Sequence, residues 1–361
     1  MTVLHATEAA TVHLALWVRT RSVTVDDVDR ALYDDRTLVK QVAMRRTLFV
    51  FPRDLLPAAW GSAAARAAAQ QYKDVSKYVV SGGIAENPGA WFAAASAAVL
   101  DVLADGMPRT TTQIRDAVPV LAERFTIGTP GDRSGRSYPI GAWVVSALGA
   151  QGRVIRAANA GPWRLNKPTW TLTGSWLGDV PAALPEAEGY AELVRRWLWT
   201  FGPGTEDDMV WWLGATKTAV RRALSDIEAE PVTLDRDENG WVLPDDTGPA
   251  PEPEPWAALL PTLAPTVRGW KGRACYLDDR HRQYLFDSNG NAGNTAWWNG
   301  RIVGAWAQDD NAVVHVLLRE NVGREATALL HAEAARLTDW LDGVRITNVY
   351  ASQQMRQTTL P

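Results

Sequence analysis

Residues 205–243, TEDDMVWWLGATKTAVRRALSDIEAEPVTLDRDENGWVL, specify a helix, a tight turn, a second helix and a hairpin. Thr205 is a predicted N-cap, because its hydroxyl can accept from amides that a helix leaves unpaired, and three acidic residues follow it. Gly214 predicts the end of this helix and Thr216 the start of the next. Residues 232–243 predict two strands around an Asn-Gly turn. This order of elements is typical of a winged helix, whose second helix fits a DNA major groove.

Two looser copies of the same order precede this segment. The first runs from Thr24 to about Pro52, with a helix through Tyr33, a second helix from Thr37 and a strand at Leu48–Phe51. The second copy begins at Thr110 and contains a short helix toward Val118, a loop at Gly128–Gly135, a helix at Ile140–Ala150 and strands at Val154–Arg156 and Trp163–Leu165. The sequence therefore predicts an α+β fold with three tandem winged-helix units.

The remaining segments connect these units or follow them. Alanine-rich helices are predicted at Ala63–Gln71 and Ala93–Leu103, and Gly248–Pro255 is a stiff proline-rich linker. Beyond it we expect an antiparallel sheet or small barrel over Ala274–Leu318, then a helix at Arg324–Leu341 and a strand at Ile346–Tyr350. The predicted domains are a signature loop with the first winged helix (1–60), a helical connector (61–107), two further winged helices (108–178 and 179–247), and a linker with a C-terminal β-rich domain (248–361).

The charge is divided unevenly along the chain. The formal net charge is −4, but residues 1–175 carry 20 Lys and Arg against 14 Asp and Glu, whereas the remaining residues carry 17 against 27. A basic half joined to an acidic half is compatible with one DNA-facing surface on an acidic protein.

Several classes of protein find no support in the sequence. The single cysteine, Cys275, excludes a disulfide framework, and the scattered histidines show no zinc-like spacing. No P-loop, dinucleotide fingerprint or nucleophile elbow occurs, so we expect no metal and no cofactor. No signal peptide and no apolar run of membrane-spanning length is present, which predicts a cytoplasmic protein without a membrane partner. We expect a monomer, because one chain already supplies several DNA-binding units.

Basic residues at corresponding places of the units are candidates for phosphate contact. They are Lys217, Arg221 and Arg222 on the second helix of the third unit, and Lys40, Arg45 and Arg46 near the helix-to-wing junction of the first. Basic helix faces are also often only solvated, so both interpretations stay open. Arg301 follows the turn at Asn299-Gly300, and this hairpin could enter a minor groove or only close a barrel.

Seven stretches resemble the AlkZ-type (YcaQ-like) winged-helix DNA glycosylase family. They are LHATE at 4–8, ALW at 15–17, RALYDDRTLV at 30–39, MRRTL at 44–48, FGPGT at 201–205, WWLG at 211–214 and NGRIVGAW at 299–306. Each piece is moderately specific, whereas their order and spacing over nearly the whole chain are specific. One or two helices usually precede the first stretch in this family. Here it begins at residue 4, so we expect an upstream start codon or a lost packing element.

The resemblance implies a function in DNA repair. The family's catalytic signature is a Gln–aliphatic–Gln or Gln–aliphatic–Asp triplet, and a subgroup tied to antibiotic self-resistance carries His first. His5-Ala6-Thr7 matches the His-variant subgroup in its first position and departs from it by Thr in its third. The implied activity is hydrolysis of the N-glycosidic bond of alkylated, N7-type purines in damaged double-stranded DNA, including bulky adducts and crosslinks, with a role in genotoxin self-resistance.

The chemistry of three residues fits this reaction. The imidazole of His5 can orient or deprotonate a water, the hydroxyl of Thr7 can hold the same water, and Glu8 can supply negative charge facing a cationic sugar. Each residue also has a structural interpretation. His5 could cap a loop, Thr7 is typical of an N-cap or turn, and Glu8 is typical of the first turn of a helix predicted at Thr11–Arg19.

A non-catalytic winged-helix DNA-binding protein or transcription regulator is the alternative, because winged helices serve more often in regulators than in glycosylases. Lesion-dependent strand cleavage separates the two functions. A preference for one undamaged sequence favours the regulator.

Overall fold

A computed structural model describes residues 2–127 and 135–357, so most of the predicted Gly128–Gly135 loop lies outside the described residues. The fold is mixed α and β. Its helices are α1 (Ala9–Trp17), α2 (Val25–Asp29), α3 (Leu56–Gly61), α4 (Ala63–Ser81), α5 (Pro88–Val102), α6 (Thr111–Ala117), α7 (Gly141–Ala150), α8 (Thr173–Leu177), α9 (Glu186–Phe201), α10 (Glu206–Leu213), α11 (Lys217–Asp226), α12 (Asp279–Leu285), α13 (Gly323–Leu341) and α14 (Gln353–Gln357).

The strands form small antiparallel sheets along the chain. They are β1 (Leu4–His5), β2 (Leu38–Val42), β3 (Leu48–Pro52), β4 (Arg109–Thr110), β5 (Arg124–Ile127), β6 (Arg136–Pro139), β7 (Val154–Asn159), β8 (Pro168–Leu172), β9 (Glu230–Thr233), β10 (Asn239–Val242), β11 (Ala257–Leu260), β12 (Thr295–Trp298), β13 (Arg301–Gln308) and β14 (Val314–Leu318). No helix among the described residues combines the length and the apolar character needed to cross a membrane.

The segment that carries residues 205–243 forms the predicted elements. The Thr205 side chain accepts from the amide of Asp208, whose carboxylate accepts from the Thr205 amide in return, and this capping box starts α10. Gly214 ends α10 in the left-handed conformation, and Thr216 caps α11. Strands β9 and β10 pair as a hairpin, with Trp241 also bridging to Gly204. Helix α9 supplies much of the apolar core beneath them.

The segment around residue 110 follows the predicted order with one error. Thr110 forms a capping box at α6, α7 follows the β5–β6 hairpin, and the sheet order is β4-β8-β7. The strand predicted at Trp163–Leu165 is wrong, because the second strand is β8. The Asn159 side-chain amide donates to the carbonyls of Gly161, Pro162 and Leu165, which holds that stretch as a loop.

The first copy differs from the predicted pair of helices. Thr24 caps α2 as expected, and the helix continues as a wider turn over Arg30–Asp34. The second helix predicted from Thr37 is wrong, because residues 38–42 form β2, which pairs with β3 along its whole length. The β-branched Val39 and Val42 are buried in this sheet, and burial against β3 outweighs any local helix preference.

The C-terminal part is an open sheet and not a barrel. Its strand order is β11-β12-β13-β14, and α13 packs on it together with the buried side of α1. The strand predicted at Ile346–Tyr350 is wrong. Its backbone amides bond to side chains, Ile346 to Gln308 and Val349 to Glu8, and so do not pair with a strand.

The turn between β2 and β3 is where the first helical segment (residues 24–52) contacts the third (residues 205–243). Met44 is fully buried beneath it, and Arg45 and Arg46 both have positive φ, 52° and 59°. Such backbone conformations are unfavourable for residues with a Cβ atom and persist only where packing holds them. Gly214 lies against this turn, since a Cβ at 214 would be 3.0 Å from Arg45 Cγ and 3.2 Å from its backbone nitrogen.

We expect Gly214→Ala to lower the free energy of unfolding more than Gly83→Ala does. Both glycines have similar positive φ, 63° and 65°, so both substitutions cost about 1 kcal/mol of backbone strain. A Cβ at 83 meets nothing within 4 Å, whereas a Cβ at 214 presses on Arg45. Urea unfolding of the two variants measures the difference, and equal losses would show that the Arg45 turn does not depend on this contact.

Candidate active site

His5 is fixed at the edge of the first sheet. It ends β1, pairs with Phe49 on β3, and is only 4% exposed. The amide of Ala6 donates to the Leu48 carbonyl, which continues the pairing past His5, and the Phe49 ring meets the imidazole edge-on at 5.3 Å. Backbone pairing and an aromatic contact therefore set the position of the imidazole.

The chain bends at Thr7 and Glu8 before α1 begins. Thr7 is exposed, and its backbone amide donates to Nδ1 of His5 at 3.4 Å. Glu8 occupies the N-cap position of α1 without a side-chain capping bond, and its Oε1 accepts from the Val349 amide at 2.9 Å. The carboxylate is thus held between the signature segment and the C-terminal segment.

Burial is the main cause that lowers the pKa of His5 to about 3, and the nearby guanidinium groups of Arg268 and Arg45 lower it further. The imidazole is therefore neutral at physiological pH. Because Nδ1 accepts from the Thr7 amide, the neutral ring carries its proton on Nε2. This tautomer gives His5 a donor at Nε2.

The pKa of Glu8 is shifted in the opposite direction. Burial raises its pKa above the usual 4.5, and the bonds from the Val349 and Tyr350 amides partly offset that rise. A carboxylate that takes up a proton more readily than usual suits proton transfer near a reacting water.

Two arginines from distant parts of the chain, Arg45 and Arg268, lie near His5, and Arg273 lies near both of them. Arg45 lies over the Trp211 ring at 4.1 Å, and Arg268 lies over the same ring at 5.7 Å. Burial is the main cause that lowers the pKa values of Arg45 and Arg268, and the charge of Arg273 lowers them further. Of these three residues only Arg45 was predicted from the sequence, although VRGWKGR at 267–273 is a basic run within the acidic half of the chain.

The predicted basic residues of the third helical segment lie on α11 and already have acidic neighbours. Lys217 pairs with Asp207 at 2.9 Å, Arg221 with Glu206 at 2.7 Å, and Arg222 with Asp226 at 3.6 Å. All three cations remain more than half exposed, so these ion pairs are weak and can be exchanged.

The other predicted basic residues lie in different surroundings. Arg46 is exposed and pairs with Asp74 at 2.7 Å. Lys40 donates to the hydroxyl of Tyr33 at 2.7 Å, and burial lowers its pKa to about 8. Arg301 is exposed beside the Asn299-Gly300 turn and forms no ion pair within the described residues. Arg45 is therefore the member of this predicted set that the structure brings to His5.

Two clefts meet at the Arg45 turn. One of about 510 Å³ follows α4 and is lined by Arg45, Arg46, Arg66 and Lys73 among others. The second, of about 420 Å³, lies between the same turn and Trp143 on α7. A third cleft, of about 640 Å³, lies at residues 279–290, and His5, Thr7 and Glu8 line none of the three. Within the described part of the chain, no cluster of His, Cys, Asp and Glu could hold a metal ion.

Comparisons with known proteins agree on one family. The family model described as DNA glycosylase AlkZ-like matches residues 1–340. Among solved structures, the chain is similar to the DNA glycosylase AlkZ of Streptomyces sahachiroi, with a TM-score of 0.72 and 20% identity over 95% of this chain and 90% of that one. No curated protein matches the chain in sequence.

The pKa of His5 predicts a pH-dependent free energy of unfolding. The group takes up a proton near pH 6.5 when unfolded but only near pH 3 when folded, so its contribution is complete above pH 6.5 and is lost as the pH falls toward 3. Between pH 7 and pH 5 we expect the wild type to lose about 2 kcal/mol more than His5→Gln.

Urea unfolding of both proteins at the two pH values measures this difference. The exposed His331 on α13 provides the control, as His331→Gln leaves the His5 site intact. Equal losses in the wild type and His5→Gln would contradict a buried neutral imidazole.

Proposed function

Since the chain belongs to the AlkZ-like family of DNA glycosylases, we propose that it hydrolyses the N-glycosidic bond of N7-alkylated purines in duplex DNA. The observation that carries this proposal is that one short bend, residues 5–8, holds a buried imidazole and a half-buried carboxylate, those of His5 and Glu8. The partner is damaged double-stranded DNA, and the reaction needs no cofactor.

The chemical demand on the protein is modest. A guanine alkylated at N7 is cationic and leaves readily, so the enzyme has to position a water and stabilise positive charge on the sugar. A base with a pKa of about 3 removes protons poorly. We therefore assign His5 the positioning of the water through its Nε2 proton, and not the removal of a proton from it.

Glu8 is assigned the second role. Its carboxylate faces the developing positive charge and receives the proton of the attacking water, for which its raised pKa is suited. Thr7 is exposed between them, and its hydroxyl can hold the same water. In this arrangement the Thr7 amide also fixes the His5 tautomer.

The three helical segments are proposed to act as winged helices on the duplex. Helix α11 would lie in a groove, where phosphates replace Glu206, Asp207 and Asp226 as partners of Lys217, Arg221 and Arg222. Arg46, Lys40 and Arg301 are proposed to make further backbone contacts. The His-first signature extends the proposal to bulky or crosslinked N7 adducts and to genotoxin self-resistance.

Removal of either proposed catalytic group is expected to stop base release without abolishing binding. His5→Ala and Glu8→Gln should each lower the rate on a duplex with N7-methylguanine by about 100-fold or more. Alkaline strand cleavage scores the abasic product. His331→Gln and Glu325→Gln, exposed residues on α13, are the matched controls and should retain the wild-type rate.

Two other outcomes of this experiment have defined meanings. Release that survives in His5→Ala would keep the glycosylase and remove the role of His5. No release of N7-methylguanine or of a bulky N7 adduct by the wild type, together with preference for one undamaged sequence, would favour a regulator that binds DNA without catalysis.

The pH profile of kcat/KM should follow Glu8 and not His5. An imidazole that is neutral down to about pH 3 gives no inflection near pH 6.5. The acidic limb should lie above pH 4.5, because the pKa of Glu8 is raised, with activity lost as the pH falls and Glu8 becomes protonated. Single-turnover rates between pH 4 and pH 8 measure this, and an acidic limb that persists unchanged in Glu8→Gln would contradict the assignment.

A further inference from the structure

Arg45, Arg268 and Arg273 are half-buried, and none of them forms an ion pair with a carboxylate of the described residues. By contrast, the exposed cations of α11 all have acidic partners, as do the exposed Arg46 and Arg280. Burial makes an unpaired charge costly, and here three unpaired guanidinium groups share one half-buried site.

Neutral groups hold these three side chains in place. Arg45 and Arg268 share the Trp211 ring, and Arg273 lies over Phe286 at 4.5 Å. The guanidinium of Arg268 donates to the side-chain oxygen of Asn291 at 2.9 Å. Aromatic faces and amide oxygens orient a guanidinium but do not cancel its charge.

The charge of Asp287 acts on Arg268 and Arg273, but its carboxylate oxygens accept from other groups. Asp287 accepts from the side-chain amide of Asn291 at 2.9 Å and from backbone amides of its own turn. Arg273 donates to the Gly290 carbonyl at 2.9 Å, again a neutral acceptor. The Nε atoms of Arg45, Arg268 and Arg273 are buried without an acceptor among the described residues. The three Nε donors of the cluster are therefore available to an anion.

Like charges brought together in a partly desolvated site repel each other, and a bound anion removes that cost. Planar guanidinium groups match the tetrahedral oxygens of a phosphate through paired hydrogen bonds. The site adjoins His5. Burial is the main cause that lowers the pKa of His5, and the charges of Arg268 and Arg45 lower it further. From Arg45 the cationic surface continues along the cleft that contains Arg46, Arg66 and Lys73.

We propose that Arg45, Arg268 and Arg273 bind one phosphodiester group of the DNA backbone, directly beside the nucleotide whose base is released. The proposal rests on the proposed function for its ligand. It assigns the cluster the task of setting the position of the target sugar relative to His5 and Glu8. Trp211, which contacts two of the guanidinium groups, is then a positioning residue for the phosphate site.

A thermodynamic cycle tests the contact. Duplexes carry a tetrahydrofuran abasic analogue, and each phosphate near it is replaced in turn by an uncharged methylphosphonate. Fluorescence anisotropy at one salt concentration gives Kd for each duplex. For the wild type we expect one flanking replacement to weaken binding about tenfold or more.

Arg268→Gln should weaken binding of the unmodified duplex by a similar factor and make the protein insensitive to that same replacement. Arg345→Gln, an exposed arginine paired with Asp310, is the matched control and should stay fully sensitive to it. Arg268→Gln should also reduce the slope of log K against log salt by about 1. If Arg268→Gln does not fold, Arg273→Gln is read in the same cycle.

The outcomes separate this proposal from the proposed function. If the loss of binding free energy in the arginine variant simply adds to the loss from every phosphate replacement, the phosphate site is overturned. Base release from N7-methylguanine by the wild type would still support the proposed glycosylase activity in that case. If inorganic phosphate at matched ionic strength stabilises the wild type but not Arg268→Gln against heat, and no single replacement matters, the cluster binds a free anion and not DNA.

Discussion

The pairing of strand β3 on both of its edges is the constraint on which the site depends. On one side β1 places His5 opposite Phe49, and on the other side β2 runs back to the turn that carries Arg45. Two side chains of the proposed site that are forty residues apart in sequence are thus fixed by one ladder of backbone hydrogen bonds. Backbone pairing of this kind holds position more firmly than a loop does, which is what a site for a precisely placed water requires.

The C-terminal part completes the arrangement from the opposite side. Thr11 on α1 donates to the Thr262 carbonyl at 2.7 Å, and Glu8 accepts from Val349, so hydrogen bonds join the start of the N-terminal helix to the C-terminal part. The same part of the chain supplies Arg268 and Arg273. The signature segment therefore has a hydrophobic sheet on one side and a cationic cluster on the other, which accounts for a buried imidazole with a low pKa.

Features encoded within a few residues could be predicted from the sequence. Thr205 and Thr216 begin helices as expected, because a cap needs only the amides two or three residues ahead, and Thr24 and Thr110 cap helices in the same way. The helix expected from Thr37 failed because its alternative, pairing with β3, depends on a partner that local patterns do not reveal. Arg268 and Arg273 were missed for the same physical reason, since their role comes from convergence on Trp211 and Arg45 in space.

Charge connects the two halves of the proposed site. Burial is the largest of the three causes that lower the pKa of His5, and the guanidinium groups of Arg268 and Arg45 are the other two. A phosphate bound to those groups would offset their charge and raise the pKa of His5 part of the way back, while burial would keep it below the ordinary value. The imidazole would then remain neutral, and its Nε2 proton would be a weaker donor to the water with DNA in place than without it. Phosphate binding and the chemistry at His5 are therefore coupled through charge. The arginines thus affect the reaction through the pKa of His5 as well as through the position of the sugar.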